Sequence, residues 1–287
     1  MRRRWGELAL PYLLLLPSVL FLLVFFAWPL VEALLVAFGD EAGTGWTLDN
    51  FREMADDLNF RDALWNTLLL VVVVVPVQLA LAIGLAQLLT RVERGRDLYL
   101  YVWTIPLGIS DLAAGLLWLA IMGERGYLNS ALQAVGAIDG PTLWLSYETP
   151  WAMFLAVVVA ETWRATAIVL VIIVAGVQLI PKEYNEAAAI FGANAWQRLI
   201  KVTLPSLKPS IQTALILRTI LALEVFAVVL ALAGTNMPVL MGEAYAWQHE
   251  YQNSGVAAAY AVIILAISLA ATFVFLRLLR TRSETLA

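Results

Sequence analysis

The 287-residue chain contains no cysteine and a single histidine, His249. The first absence excludes disulfides and thiolate metal sites, and the second excludes a histidine-rich metal centre. Charge is scarce too. Asp, Glu, Lys and Arg make up 14% of residues against 62% hydrophobic ones, and the net charge of -4 means little by itself. A soluble globular domain carries about a quarter charged residues, so this composition points to a polytopic membrane protein. No G-x-x-x-x-G-K-[ST] phosphate loop occurs, so the chain is not expected to hydrolyse ATP itself. His249 and Glu250 are not followed by the second histidine of a zinc protease, and no G-x-S-x-G nucleophile elbow is present. Lys and Arg form no nucleic-acid patch, because their clustering follows topology. There is no internal repeat, low-complexity tract or soluble domain.

What the chain does contain is long apolar runs. Six stretches, at about 11–38, 63–90, 98–122, 151–180, 210–233 and 256–279, each exceed the roughly 20 residues needed to cross the hydrocarbon core. The first follows Met1 and three arginines in the manner of a signal peptide. It is longer than a signal h-region and no small-residue cleavage site follows, so it reads as a first span with a kink at Pro17. Eleven tryptophans and nine tyrosines suit aromatic belts at the two interfaces. The expected fold class is all-α and transmembrane, a single six-helix domain over 1–287.

Basic residues between spans set the orientation. One set of segments holds Arg2, Arg3, Arg4, Arg91, Arg94, Arg96, Lys182, Arg198, Lys201, Lys208, Arg277, Arg280 and Arg282; the other holds Arg52, Arg61 and Arg125. The imbalance predicts that both termini are cytoplasmic, together with the loop after the fourth span. The opposite segments are acidic and irregular: 39–62 carries seven acidic residues against two arginines, and 123–150 and 234–255 are rich in turn residues and aromatics. These read as an outer face that meets a partner, partly as a short interfacial helix or plug, or else as solvated loops.

The stretch around which the rest is organised is 183–209, EYNEAAAIFGANAWQRLIKVTLPSLKP, a polar, basic island between two apolar runs. It reads as two short helices joined at Gly192, which supplies a left-handed stop. Asn194 suits an N-cap, and Trp196, Leu199 and Ile200 form an apolar stripe opposite Gln197, Arg198 and Lys201. Pro205 is expected to end the second helix by biasing Leu204 away from the α region. From the residues alone the hairpin is either a docking surface for a partner or an interfacial helix on lipid headgroups.

At these residues the chain resembles the permease subunits of binding-protein-dependent ABC importers, whose loop carries E-A-A, a following glycine, a spacer and I-x-L-P. Here the pattern reads Glu186, Ala187, Ala188, Gly192, Val202, Leu204 and Pro205. The surrounding text, with GVAAAYAVII at 255–264, looks like the carbohydrate branch, the maltose and trehalose kind. Phe191 departs from the family's common Asp before the glycine, and GTN at 234–236 departs from a common GGP. The resemblance covers nearly the whole chain. It implies a coupling loop, 183–209, that docks on an ATP-hydrolysing subunit through Glu186, Ala187, Ala188 and Gly192. It also implies a second, related permease, two ATP-binding subunits that hold ATP and Mg, and an extracellular or periplasmic sugar-binding protein. The chain itself would need no cofactor, would bind no nucleic acid and would not be an enzyme. Its place would be the cell's inner membrane, as a multi-pass subunit among lipid.

Ionisable groups inside spans are costly and face bundle interiors or cavities. Glu32, Asp111, Glu161, Arg164, Arg218 and Glu224 lie within or at the ends of spans, and Glu161 and Arg164 are spaced to pair on one helical turn. Asp111 follows Pro106, Gly108 and Ser110, an irregular segment that could line a path. A sugar site hydrogen-bonds hydroxyls with carboxylates and amides and stacks rings on aromatics. By that chemistry Glu224, Asp111, Asn129, Trp118 and Phe226 are the candidates for the substrate path, with aromatic packing and interhelical polar contacts as the competing reading of each. The function expected is import of a di- or oligosaccharide. The alternatives are another solute, such as a polyol, glycerol phosphate or amino sugar, or an ion-coupled secondary transporter.

Overall fold

The computed structural model describes residues 5–40, 45–90, 92 and 94–279, and these are helical apart from turns and one isolated bridge between Gly39 and Trp46. Arg2, Arg3, Arg4, Arg91, Arg280 and Arg282 of the orientation argument lie outside the described residues. In chain order the helices are α1 (Trp5–Leu22), α2 (Trp28–Phe38), α3 (Asp49–Asp56), α4 (Phe60–Leu89), α5 (Arg96–Thr104), α6 (Asp111–Met122), α7 (Tyr127–Ala134), α8 (Pro150–Gln178), α9 (Lys182–Ile190), α10 (Ala195–Arg198), α11 (Leu204–Ser206), α12 (Lys208–Leu223), α13 (Ala227–Ala233), α14 (Leu240–His249) and α15 (Ser254–Leu278).

Four helical stretches are long and apolar enough to cross a membrane: Tyr12–Phe38, Phe60–Leu89, Pro150–Gln178 and Ser254–Leu278. Two more count as spans only as bent pairs. Arg96–Gly108 meets Asp111–Ala134 at 100°, and Lys208–Leu223 meets Ala227–Asn236 at 50°. The six expected spans are thus four continuous helices and two broken ones, the third and the fifth. In the third, Pro106 sits in a 3-10 turn, Ile105–Gly108, and Ser110 restarts the helix by accepting the Ala113 N–H at 3.3 Å.

One sequence expectation about proline is corrected, that Pro205 ends its helix. The first span runs helically through Pro17, and its irregularity is a wide π turn at Leu23–Ala27, just before Trp28 and Pro29. The same device recurs at Leu199–Thr203, just before Leu204 and Pro205. In each case the N–H before the proline reaches back five residues, from Trp28 to Leu23 and from Leu204 to Leu199. Proline has no N–H to offer the carbonyl one turn back and its ring crowds that carbonyl; the widened turn takes up both defects. Leu204 therefore stays helical at φ -61 and ψ -43, and Pro205 does not end the helix. Helical conformation continues through Leu207 into α12.

The chain divides into two compact units, Met1–Leu58 with Glu243–Ile263, and Asn59–Gly242 with Ile264–Ala287. In the first, Asn50 of α3 donates to the carbonyls of Val36, Ala37 and Gly39 at 3.1–3.3 Å, satisfying groups that the end of α2 leaves open. Gly255 packs so closely on Asn50 that a Cβ there would overlap the amide. Asp57 accepts from Trp247 Nε1 at 2.8 Å and from the Tyr260 hydroxyl at 2.7 Å.

The second unit is organised on α4 and α8. α4 buries Ala63, Thr67, Leu70, Val74, Gln78, Ala82, Ala86 and Leu89, a stripe at steps of three and four that turns one face to its neighbours. One apolar cluster joins Leu70, Val74, Met153, Val157, Val228 and Leu232; another joins Ala82, Ala86, Leu170, Ile173, Leu207 and Ala214. α6 lies hard against α13 because Gly115 has no side chain: a Cβ there would sit 2.6 Å from that of Ala231.

Candidate functional site

The hairpin after α8 is built locally. Pro181, at ψ 134, precedes α9, where its missing N–H costs nothing. α9 ends in a double backbone lock: Gly192 N–H bonds to Ala189 O at 2.9 Å and Ala193 N–H to Ala188 O at 3.0 Å. This Schellman arrangement needs a left-handed residue, and Gly192 supplies it at φ +81. Asn194 then opens the next helix with a reciprocal cap: its Oδ1 accepts the Gln197 N–H at 2.8 Å and Gln197 Oε1 accepts the Asn194 N–H at 2.9 Å. The roles expected of Gly192 as stop and Asn194 as cap are those the backbone shows.

The side chains of α9 bury nothing within the chain. Glu186 and Ala187 are exposed and Ala188 is half-buried, while Ile190 and Phe191 at the tip are 84% and 90% exposed and Trp196 is 67% exposed. Three large apolar side chains on a polar hairpin form a surface in want of a cover. Sequence reasoning noticed Phe191 only as a departure from a pattern; its neighbour Ile190 was the signal that the tip is apolar.

A second polar group lies inside the helix bundle. Arg218 of α12, 1% exposed, donates through Nη2 to Glu161 Oε1 at 2.6 Å and through Nε to Gln78 Oε1 at 2.6 Å. Gln78 Nε2 in turn donates to the Glu161 carbonyl at 2.8 Å. Arg164 reaches Glu161 at 2.9 Å and Asp111 at 2.8 Å. The pairing of Glu161 with Arg164 is the one their spacing predicted; Gln78 and Arg218 complete it from two other helices. On α4, α8 and α12 this charge layer falls between the two apolar clusters. A carboxylate shared by two guanidinium groups is a form in which buried charge is tolerated, and only Arg218 Nη1 is left buried without a hydrogen-bond partner in this group.

The candidates for the substrate path fall into three places. Glu224 and Phe226 occupy the break between α12 and α13, where Glu224 is exposed at φ -93 and Phe226 half-buried at φ -144. Interrupted helix at membrane depth is tolerated where it lines a cavity or is buried in protein. Asp111 and Trp118 lie on α6 and both engage α8, Asp111 through Arg164 and Trp118 edge-on to Trp163 with centroids 6.1 Å apart. Gly115, between them in sequence, is the residue that seats α6 on α13. Asn129 is elsewhere and fully engaged. Its amide donates to the carbonyls of Gly123, Glu124 and Thr142, and its oxygen accepts from Thr142 N–H and Trp144 Nε1. It ties a loop together, and no donor or acceptor is left over for a sugar hydroxyl.

Four helices long and apolar enough to cross a membrane, two broken ones, and a self-capped hairpin between the fourth and fifth spans are features that suit a transporter permease. Residues 61–283 match the family described as the binding-protein-dependent transport system inner membrane component, and the chain belongs to that family, the permeases of ABC importers. It is a multi-pass membrane transport component rather than an enzyme, and membership sets aside the ion-coupled alternative. It is 31% identical to the sulfoquinovosyl glycerol transport system permease protein SmoG of Agrobacterium fabrum, over 97% of this chain and 94% of that one. It is 28% identical to the trehalose/maltose transport system permease protein MalF of Thermococcus litoralis, over 98% and 97%. Its fold matches a chain in the crystal structure of a bacterial ABC transporter involved in import of the acidic polysaccharide alginate, with a TM-score of 0.84 at 21% identity, over 99% of this chain and all of that one.

Proposed function

We propose that this chain is one of two permeases in an ATP-driven importer that moves a di- or oligosaccharide delivered by an external binding protein. Helix α9 couples it to a separate ATPase through Glu186, Ala187, Ala188 and Gly192. The observation that carries the coupling role is the hairpin's surface: no residue of α9 is buried, and Ile190, Phe191 and Trp196 stand exposed beside Glu186. Ala187 and Ala188 allow close approach, and Glu186 offers a carboxylate to a basic group of the ATPase. Both termini and the hairpin lie on the cytoplasmic side in this reading, in accord with the distribution of basic residues.

Motion applied to the hairpin has a continuous route. From Ala195 to Leu223 the chain is helical but for a turn at Leu207, and the run ends at Glu224 and Phe226. Closure of the ATPases would pull on this segment, carry Arg218 with it and reshape the break where substrate passes. Glu224, Asp111, Trp118 and Phe226 are then the side chains for hydroxyls and sugar rings. The names of the relatives favour carbohydrate as the class; trehalose or maltose is one cargo among several. The sulfoquinovosyl glycerol relative favours a second reading, import of a glycoside or polyol of another kind.

The test uses the transporter purified with its copurifying subunits. Gly192→Pro forces φ near -65° where +81° is required, so sugar-loaded binding protein should still reach the complex while ATPase activity and uptake become uncoupled. Normal coupled uptake by that variant would end the coupling assignment, and absence of any copurifying ATPase would end the importer reading for this chain.

A further inference from the structure

At the root of the hairpin, a cavity of about 590 Å³ opens between the ends of α4 and α8, the start of α5 and the hairpin itself. Arg96, Lys182 and Arg198 line it, from three different helices, and Glu186 is the one acidic residue on its wall. None of the three cations forms a salt bridge among the described residues. Arg96 Nε is buried with no hydrogen-bond partner. A buried guanidinium N–H without an acceptor is costly, and three positive groups converge on this space against one carboxylate.

The depth of the cavity is marked by aromatics. Tyr99, Tyr101 and Trp103 follow Arg96 on α5, and all three are exposed. A belt of exposed Tyr and Trp sits at the headgroup level of a bilayer. Guanidinium groups match phosphate oxygens in a bidentate fork, and a basic pocket between spans at the interface suits an anionic headgroup.

We propose that this cavity binds a phosphate group, that of an anionic phospholipid such as phosphatidylglycerol, with Arg96 and Arg198 as its forks and Lys182 as a point charge. A choline headgroup brings its own cation into a positive pocket and is disfavoured. The Glu186 carboxylate on the wall opposes an anionic ligand. The proposal rests on this end of the bundle lying at a membrane surface and is independent of the cargo.

The experiment takes the full chain with its copurifying subunits, stripped of lipid in detergent. Native mass spectrometry then follows titration with dioctanoylphosphatidylglycerol, dioctanoylphosphatidylcholine or inorganic phosphate. Phosphatidylglycerol should bind in preference to phosphatidylcholine. Each basic group removed should weaken it about fivefold, so Arg96→Gln with Arg198→Gln loses roughly twenty-five-fold. Glu186→Gln should strengthen it by about fivefold on the same reasoning. If inorganic phosphate binds with the same sensitivity to the variants while the two lipids bind alike, the phosphate group stands and the lipid source is overturned. Equal phosphatidylglycerol affinity in wild type and double variant overturns the site. Should the double variant elute as aggregate, the single change Arg96→Gln decides, and unchanged phosphatidylglycerol affinity in it overturns the site. Because the readout is bound mass, a defect in transport or coupling leaves it interpretable.

Discussion

The charge layer of Gln78, Glu161, Arg164 and Arg218 and the hairpin of α9 and α10 are both polar interruptions of an apolar chain, built on opposite plans. In the layer, four side chains from three helices bond to one another at 2.6–2.9 Å, and three of them, Gln78, Glu161 and Arg218, are 2% exposed or less. In the hairpin, the backbone satisfies itself through the Schellman turn and the reciprocal cap, and the side chains are left outside. Side-chain chemistry spent on internal closure fixes how helices meet, whereas side chains freed by backbone closure are available to another molecule.

The sharpest way to break this comparison is Arg218→Ala. Removing Arg218 leaves Glu161 with Arg164 alone and takes the donor from the buried Gln78 Oε1, at a cost of roughly 2–3 kcal/mol, which thermal unfolding of the purified complex should show as a fall in midpoint. The double change Arg218→Met with Glu161→Gln should recover much of that loss; if the single change is silent, the layer contributes little to how the helices meet. The hairpin should respond in the opposite sense. Phe191→Ala with Trp196→Ala should leave the chain's own unfolding within about 0.5 kcal/mol, as for surface changes, yet weaken association with the ATPase by at least about 2 kcal/mol, the scale of interface anchors. Equal association would mean that the exposed tip is not the docking surface. The smallest effect on stability is expected at Glu224, which is exposed at a helix break. Glu224→Ala should raise the apparent uptake constant about tenfold, the loss of one hydrogen bond of roughly 1–1.5 kcal/mol. An unchanged constant removes Glu224 from the path.

What was legible in the sequence divides along the same line. Gly192 and Asn194 could be read because a left-handed stop and a cap depend on residues within three or four positions. The pairing of Glu161 with Arg164 was legible for the same reason, being one turn of a helix. Arg218 was visible as a costly charge, but its partner Gln78 lies 140 residues away, and the single polar residue in VVVVVPVQLAL was the only hint of it. Asn129 invited a sugar-binding reading because its acceptors and donors are mostly backbone groups of a loop, which leave no trace in residue type. The breaks of the third and fifth spans were signalled unequally: Pro106 and Ser110 announce the first, whereas nothing around Glu224 but its charge announces the second. Pro205 misled because the preference of the preceding residue is a local rule, and the wide turn before it changes the local geometry on which that rule depends.

That wide turn also acts as a setting of phase. A π turn holds one residue more than an α turn, so the side chains of α11 are rotated by roughly 100° from where an uninterrupted helix begun at Asn194 would have placed them. The same offset precedes Pro29 in the first span. One extra residue ahead of each of these prolines, like one tooth added to a gear, resets the face that the next turn of helix presents.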